Sequence, residues 1–109
     1  MREILFRGKW RRTGEWVYGL LFVYNEKTAS IYSDDLDRHC WVEPNTVGQY
    51  TGLTDKIGKK IFEDGYMIID KQTYKVLFDN GEYILKNIFN CDIIQLKNNS
   101  NIGVFVDEI

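Results

Sequence analysis

The sequence predicts an all-β fold, a small curved sheet or barrel of short strands with at most a short helical turn. Three observations carry this. Aromatic residues make up 15% of the 109 residues against a single proline, and flat rings pack well on a half-buried pleated face. Apolar residues fall in short, often alternating runs of strand length. Turn-forming residues separate these runs at close spacing. The length suits one domain, residues 1–109, with one modest core.

In chain order, "EILFR" alternates, "EWVYGLLFVY" is a longer aromatic and β-branched run, and "SIY" follows the polar break "NEKTA". The last two read as a hairpin through Asn25 to Thr28, with Leu21, Val23 and Ile31 on one face. "SDDLDRHC" reads as a loop or a single helical turn. In "TVGQYTGLTDKIGKKIF" the spacing of Val47, Tyr50 and Leu53 admits a short helix. Gly48, Gly52 and Gly58 oppose it, each costing roughly 1 kcal/mol in a helix interior, so the segment reads as strand, turn "TDKIG", strand "KKIF". "DGYMIID", "TYKVLF" and "EYILKNIF" come next, and Asn-Gly within "DNG" at Asp79 to Gly81 is the strongest hairpin signal. "DIIQL" and "IGVFV" flank the polar loop "KNNSN", for nine or ten strands in all.

The charge of −2 supplies no global positive field for nonspecific nucleic-acid binding. No apolar run is long enough to span a bilayer, and "MREILFRGKWRR" lacks a signal peptide's apolar core, so a cytoplasmic protein without membrane association is expected. Cys40 and Cys91 stand outside any CxxC spacing and read as free thiols.

Chemical motifs are scarce. His39 is the single histidine and has no HxxxH or HExxH partner, so neither a metal nor a cofactor is expected. Asp34, Asp35 and Asp37 lack the glycine and closing glutamate of a calcium loop. The glycine-rich stretch departs from a phosphate loop, because five residues separate Gly52 from Gly58 and Lys59-Lys60-Ile61 follows. Glu63 and Asp64 are adjacent and would point to opposite faces of a strand. A hydrolase or nuclease using His39 and the acidic loop ranks last of three classes.

The segments "MREILFRGK", "GEWVYG", "VEPNTVGQYTGLTDKIGKKIFED" and "VLFDNGEYIL" together resemble the YopX family of phage and prophage proteins, most specifically in "TVGQYTGLTDK" followed by "GKKIFE". The resemblance implies an all-β protein of a bacterial mobile element, self-associating and without catalytic residues. Two departures stand out: Asp64-Gly65-Tyr66 replaces Gly-Asp after "IFE", and Ile57 takes the place of a small residue before Gly58.

The first functional expectation is a homo-oligomeric, non-enzymatic binding protein encoded by a phage or prophage. It would hold a host protein or a small nucleotide in a counter-defence or regulatory role. Trp10, Trp16, Trp41, Tyr50 and Ile57 are its candidate contact residues. The alternative is a nucleic-acid-binding β-barrel, disfavoured by the net charge, in which Arg7, Lys9, Arg11 and Arg12 join Lys56, Lys59 and Lys60 in one basic face.

Overall fold

A computed structural model describes residues 3–109; Met1 and Arg2, the first letters of the opening string, lie outside the described residues. Eleven strands are joined by turns and two single-turn 3-10 segments, Pro44–Thr46 and Ser100–Ile102. They pair into two antiparallel sheets that do not close into a barrel, so the open-sheet form of the all-β prediction holds and the barrel form is corrected. The chain forms two compact units, one ending at Tyr50 and the other Thr51–Ile109.

The first unit contains β1 (Phe6–Lys9), β2 (Trp16–Asn25), β3 (Thr28–Ser33), β4 (Arg38–Val42) and the start of β5 (Gly48–Thr54), in the order β4-β3-β2-β1-β5. β1 lies three residues later than "EILFR", because the Leu5 carbonyl bonds the Tyr50 N–H and the ladder with β2 starts only at Phe6. The β2–β3 hairpin forms as expected. Leu21 pairs with Ile31 and Val23 with Ala29, and the Asn25 side chain accepts the Lys27 N–H across the turn.

β4 is a strand the sequence reading assigned to a loop. Cys40 and Val42 point into the core and alternate with exposed His39 and Trp41, so an aromatic on the solvent face hides the period of two. Val17, Ala29, Ile31, Cys40 and Val42 form the buried core of this unit, with Phe6, Trp10, Leu21 and Val47 packed against it. Gly19 opposes Phe6 on the β1 side. On its other side a Cβ would lie 1.8 Å from the Tyr32 carbonyl oxygen, so only glycine permits this approach of β2 to β3.

In the second unit, β6 (Lys60–Phe62) lies beside β5, and the Thr51 hydroxyl donates to the Ile61 carbonyl. The other sheet has the order β10-β9-β8-β7-β11, built from β7 (Tyr66–Ile69), β8 (Gln72–Asp79), β9 (Glu82–Asn87), β10 (Ile93–Gln95) and β11 (Val104–Val106). Asn80 and Gly81, with φ of 48° and 80°, make the expected turn between β8 and β9. β9 stops at Asn87, short of the closing Ile88 and Phe89 of "EYILKNIF", because the Asn87 carboxamide oxygen accepts the N–H groups of Phe89 and Asn90 and diverts the chain into a turn.

The glycine-rich stretch is strand, turn and strand, as its glycines predict. Its turn is organised by Asp55, which is buried. One carboxylate oxygen accepts the N–H groups of Ile57 and Lys59 at 3.0 and 2.9 Å, and the other accepts the Phe105 N–H of β11 at 2.8 Å. Burial by itself would raise this carboxyl, but the backbone donors of Phe105, Lys59 and Ile57, with the nearby Lys59 ammonium, outweigh it and hold it below the ordinary aspartate value.

A folded-state value below the unfolded one contributes stability above the unfolded aspartate range and loses it as the pH falls through the folded value. Urea denaturation as a function of pH should therefore show an acid limb that Asp55→Ala flattens. At neutral pH that variant should lose about 1–3 kcal/mol, since its backbone donors lose a charged acceptor. Gly19→Ala should cost about 2–4 kcal/mol in the same assay, because backbone must move to admit the methyl group.

Candidate functional site

The site begins with a backbone contact. β4 is an edge strand, but its C-terminal end bonds to the chain leaving β1. The Arg11 N–H donates to the Trp41 carbonyl at 2.8 Å and the Glu43 N–H to the Lys9 carbonyl at 3.0 Å, on either side of a bridge between Trp10 and Val42. The chain then turns at Arg11–Thr13, where the Trp10 carbonyl accepts the N–H groups of Thr13 and Gly14. The two segments part beyond the bridge, and a groove of about 410 Å³ opens, lined by Trp10, Arg11, Arg12, Arg38, His39 and Trp41.

Gly8 and Trp10 set the depth of this arrangement. A Cβ on Gly8 would stand 3.1 Å from Val42 Cβ and 3.3 Å from Ile31 Cδ1, so the bare backbone lets β1 lie against the core. Trp10 packs its ring on that core, and the guanidinium carbons of Arg12 and Arg38 sit 5.8 and 5.4 Å from its centroid. Arg11 is committed elsewhere, with its Nε 3.2 Å from a Glu43 carboxylate oxygen and an Nη donating to the Lys27 carbonyl. Among the described residues no carboxylate pairs with Arg12 or Arg38.

Trp41 is 49% exposed and meets one aromatic neighbour, Tyr24, with ring centroids 5.5 Å apart. His39 stands edge-on to the rings of Phe22 and Tyr32, at 5.0 and 5.1 Å. Its Nδ1 is 3.4 Å from the hydroxyl oxygen of Ser30, which is fully buried. The acidic residues Asp34, Asp35 and Asp37 lie on the exposed turn before β4. The Tyr32 hydroxyl donates to the Asp37 carboxylate, and chiefly this bond raises the phenol above its ordinary value. No group of three or more residues able to hold a metal occurs among the described residues. Burial pushes the free Cys40 thiol up, against a smaller opposing pull from Arg38, so the thiolate that cysteine chemistry needs is disfavoured. No helix among the described residues is long and apolar enough to cross a membrane.

The structure redistributes the sequence candidates. Trp10 and Trp41 line the groove with Arg11 and Arg12. Tyr50 is 8% exposed and belongs to the interior. Arg7 is 1% exposed, its guanidinium 3.8 Å from the centroid of the Trp16 ring, so it supports the fold and is withdrawn from any phosphate-binding face. Trp16 is half-buried, with the Lys9 ammonium 5.4 Å from the same centroid. Lys56, Lys59 and Lys60 are exposed but lie in the second unit, and Lys59 sits near the Phe105 ring at 5.5 Å. Ile57 is 70% exposed at the tip of the Asp55 turn. Arg38 was missed because β4 was missed; the alternation of Cys40 and Val42 in "RHCWV" is the signal that reveals it.

A buried arginine and a groove arginine should respond differently to truncation. Arg7→Ala should destabilise the protein by about 2 kcal/mol through lost packing on Trp16. Arg12→Ala should stay within roughly 0.5 kcal/mol of the parent, as expected for an exposed side chain. Thermal unfolding of the two variants side by side checks this.

A family model described as YopX protein matches residues 5–105 of the chain. No curated protein and no solved structure matches it.

Proposed function

The chain belongs to the YopX family, and from that premise and the groove geometry we propose that it is a non-enzymatic binding protein of a phage or prophage. It works in the host cytoplasm by holding a host or phage molecule in the groove of the first unit. One observation carries the reading: two tryptophans, and two arginines that pair with no carboxylate among the described residues, line one groove. Exposed aromatic area costs hydration free energy and cations held close together repel, so both features favour an occupant.

The binding reading is supported over catalysis by how the groove's single imidazole is placed. His39 is flanked by Phe22 and Tyr32, and the hydroxyl 3.4 Å from its Nδ1 belongs to buried Ser30, where a substrate could not reach it. The nucleic-acid alternative is not favoured in its original form, since Arg7 is buried against Trp16 and cannot serve as an exposed phosphate contact. Self-association is part of the proposal. Leu20, Phe22 and Tyr24 form an exposed row on one face of β2, and Ile57 adds a separate exposed apolar tip.

Retention from bacterial lysate tests the binding reading. Immobilised wild type should hold at least one protein, nucleic acid or small molecule that a folded Arg12→Gln, Arg38→Gln, Trp41→Ala variant releases; identical retention by both would refute it. Sedimentation tests the assembly: wild type should exceed the mass of one chain, and Leu20→Lys or Ile57→Asn should reduce it. A wild-type monomer at all concentrations would remove self-association.

A further inference from the structure

Taking the groove of the first unit as the binding site, we propose that its occupant is a nucleotide, with the base on the exposed ring of Trp41 and the phosphate between Arg12 and Arg38. Trp41 presents the half of this ligand that is flat and apolar. It lines the groove and is 49% exposed, and among the described residues Tyr24, tilted by 50° and 5.5 Å away, is its aromatic neighbour, which leaves ring area open to a stacking partner. Bases stack on such rings with about 1–3 kcal/mol each, whichever base it is, because every base has a π face.

The anionic half is matched by the two guanidinium groups. Trp10 gathers Arg12 and Arg38 around one ring, at 5.8 and 5.4 Å from its centroid, and among the described residues no carboxylate pairs with either. Arg11, in the same groove, is already paired with Glu43 and is not counted among the phosphate ligands. Arginine in place of lysine suits this role, since a planar guanidinium stacks on indole and still directs its N–H groups edgewise at phosphate oxygens.

Size and total charge narrow the choice further. A groove of about 410 Å³ falls in the range of small-molecule clefts, roughly 300–1,000 Å³, which suits a ligand of nucleotide size. A net charge of −2 opposes a long polyanion spread over the surface, while leaving one phosphate at a local pair of arginines favourable. An acidic peptide would leave the Trp41 ring uncovered, and an apolar peptide would leave both arginines unmatched. The same chemistry is presented by a free nucleotide and by a nucleotide within a single strand, and the two are separated by experiment.

Tryptophan fluorescence titrations with adenosine 5′-monophosphate, cytidine 5′-monophosphate, adenosine, inorganic phosphate and short single-stranded oligoadenylate decide the matter. At least one nucleotide should saturate the protein, and both half-ligands should bind at least tenfold more weakly. Rising salt should weaken binding. Arg12→Gln with Arg38→Gln, and separately Trp41→Ala, should each cost tenfold or more, with Trp41→Phe and Arg38→Lys as milder variants that report on the same contacts should the first set fail to fold. Tenfold tighter binding of the oligonucleotide identifies a single strand as the source, and equal affinity identifies the free nucleotide. Absence of saturable binding by every nucleotide, or binding untouched by all the folded variants, overturns the assignment. Groove-dependent retention from lysate without nucleotide binding would end this proposal and leave the binding function standing.

Discussion

Two backbone hydrogen bonds and one bridge organise the first unit: Arg11 to Trp41, Glu43 to Lys9, and Trp10 opposite Val42. They join the chain after β1 to the last strand of a hairpin some thirty positions later, and every lining residue of the groove lies on one of these two segments. An edge strand normally leaves a row of backbone groups unpaired. Here one end of β4 is bonded and the other is left open, so the boundary between them becomes a concave surface. The approach depends on a small residue, because Gly8 leaves the space in which Val42 and Ile31 pack.

Indole and guanidinium groups recur in this unit with two different outcomes. Arg7 on Trp16 is buried and closes off its own charge, whereas Arg12 and Arg38 around Trp10 remain at the surface. The distinction follows from strand position. Arg7 lies mid-strand in β1, between β2 and β5, while Arg12 sits on a turn and Arg38 at the first residue of an edge strand. Like residue types thus supply a core contact in one place and a charged groove in another.

The second unit handles its glycine-rich turn without any ligand. Asp55 collects three backbone N–H groups, two from its own turn and one from β11, so the carboxylate does for this loop what a bound anion does for a phosphate loop. Those three donors, with the nearby Lys59 ammonium, outweigh the effect of burial and account for the depressed carboxyl. The arrangement also leaves Ile57 exposed at the tip, since the backbone around it is already held.

Much of the fold was legible in the residues. Alternating runs marked the strands, Asn80-Gly81 marked a hairpin, and "TDKIG" marked a turn, because these signals act over a few residues and depend on local backbone preference. β4 was illegible because exposed Trp41 disguises its alternation, and the early end of "EYILKNIF" because the Asn87 side chain bonds locally in preference to the ladder. The sequence by itself determined the all-β class, the absence of a phosphate-loop pattern and the supply of tryptophan and arginine. Tertiary structure alone decided which of those side chains were buried and which met in the groove. Burial and juxtaposition depend on pairing between segments distant in the chain, and local patterning does not specify that pairing.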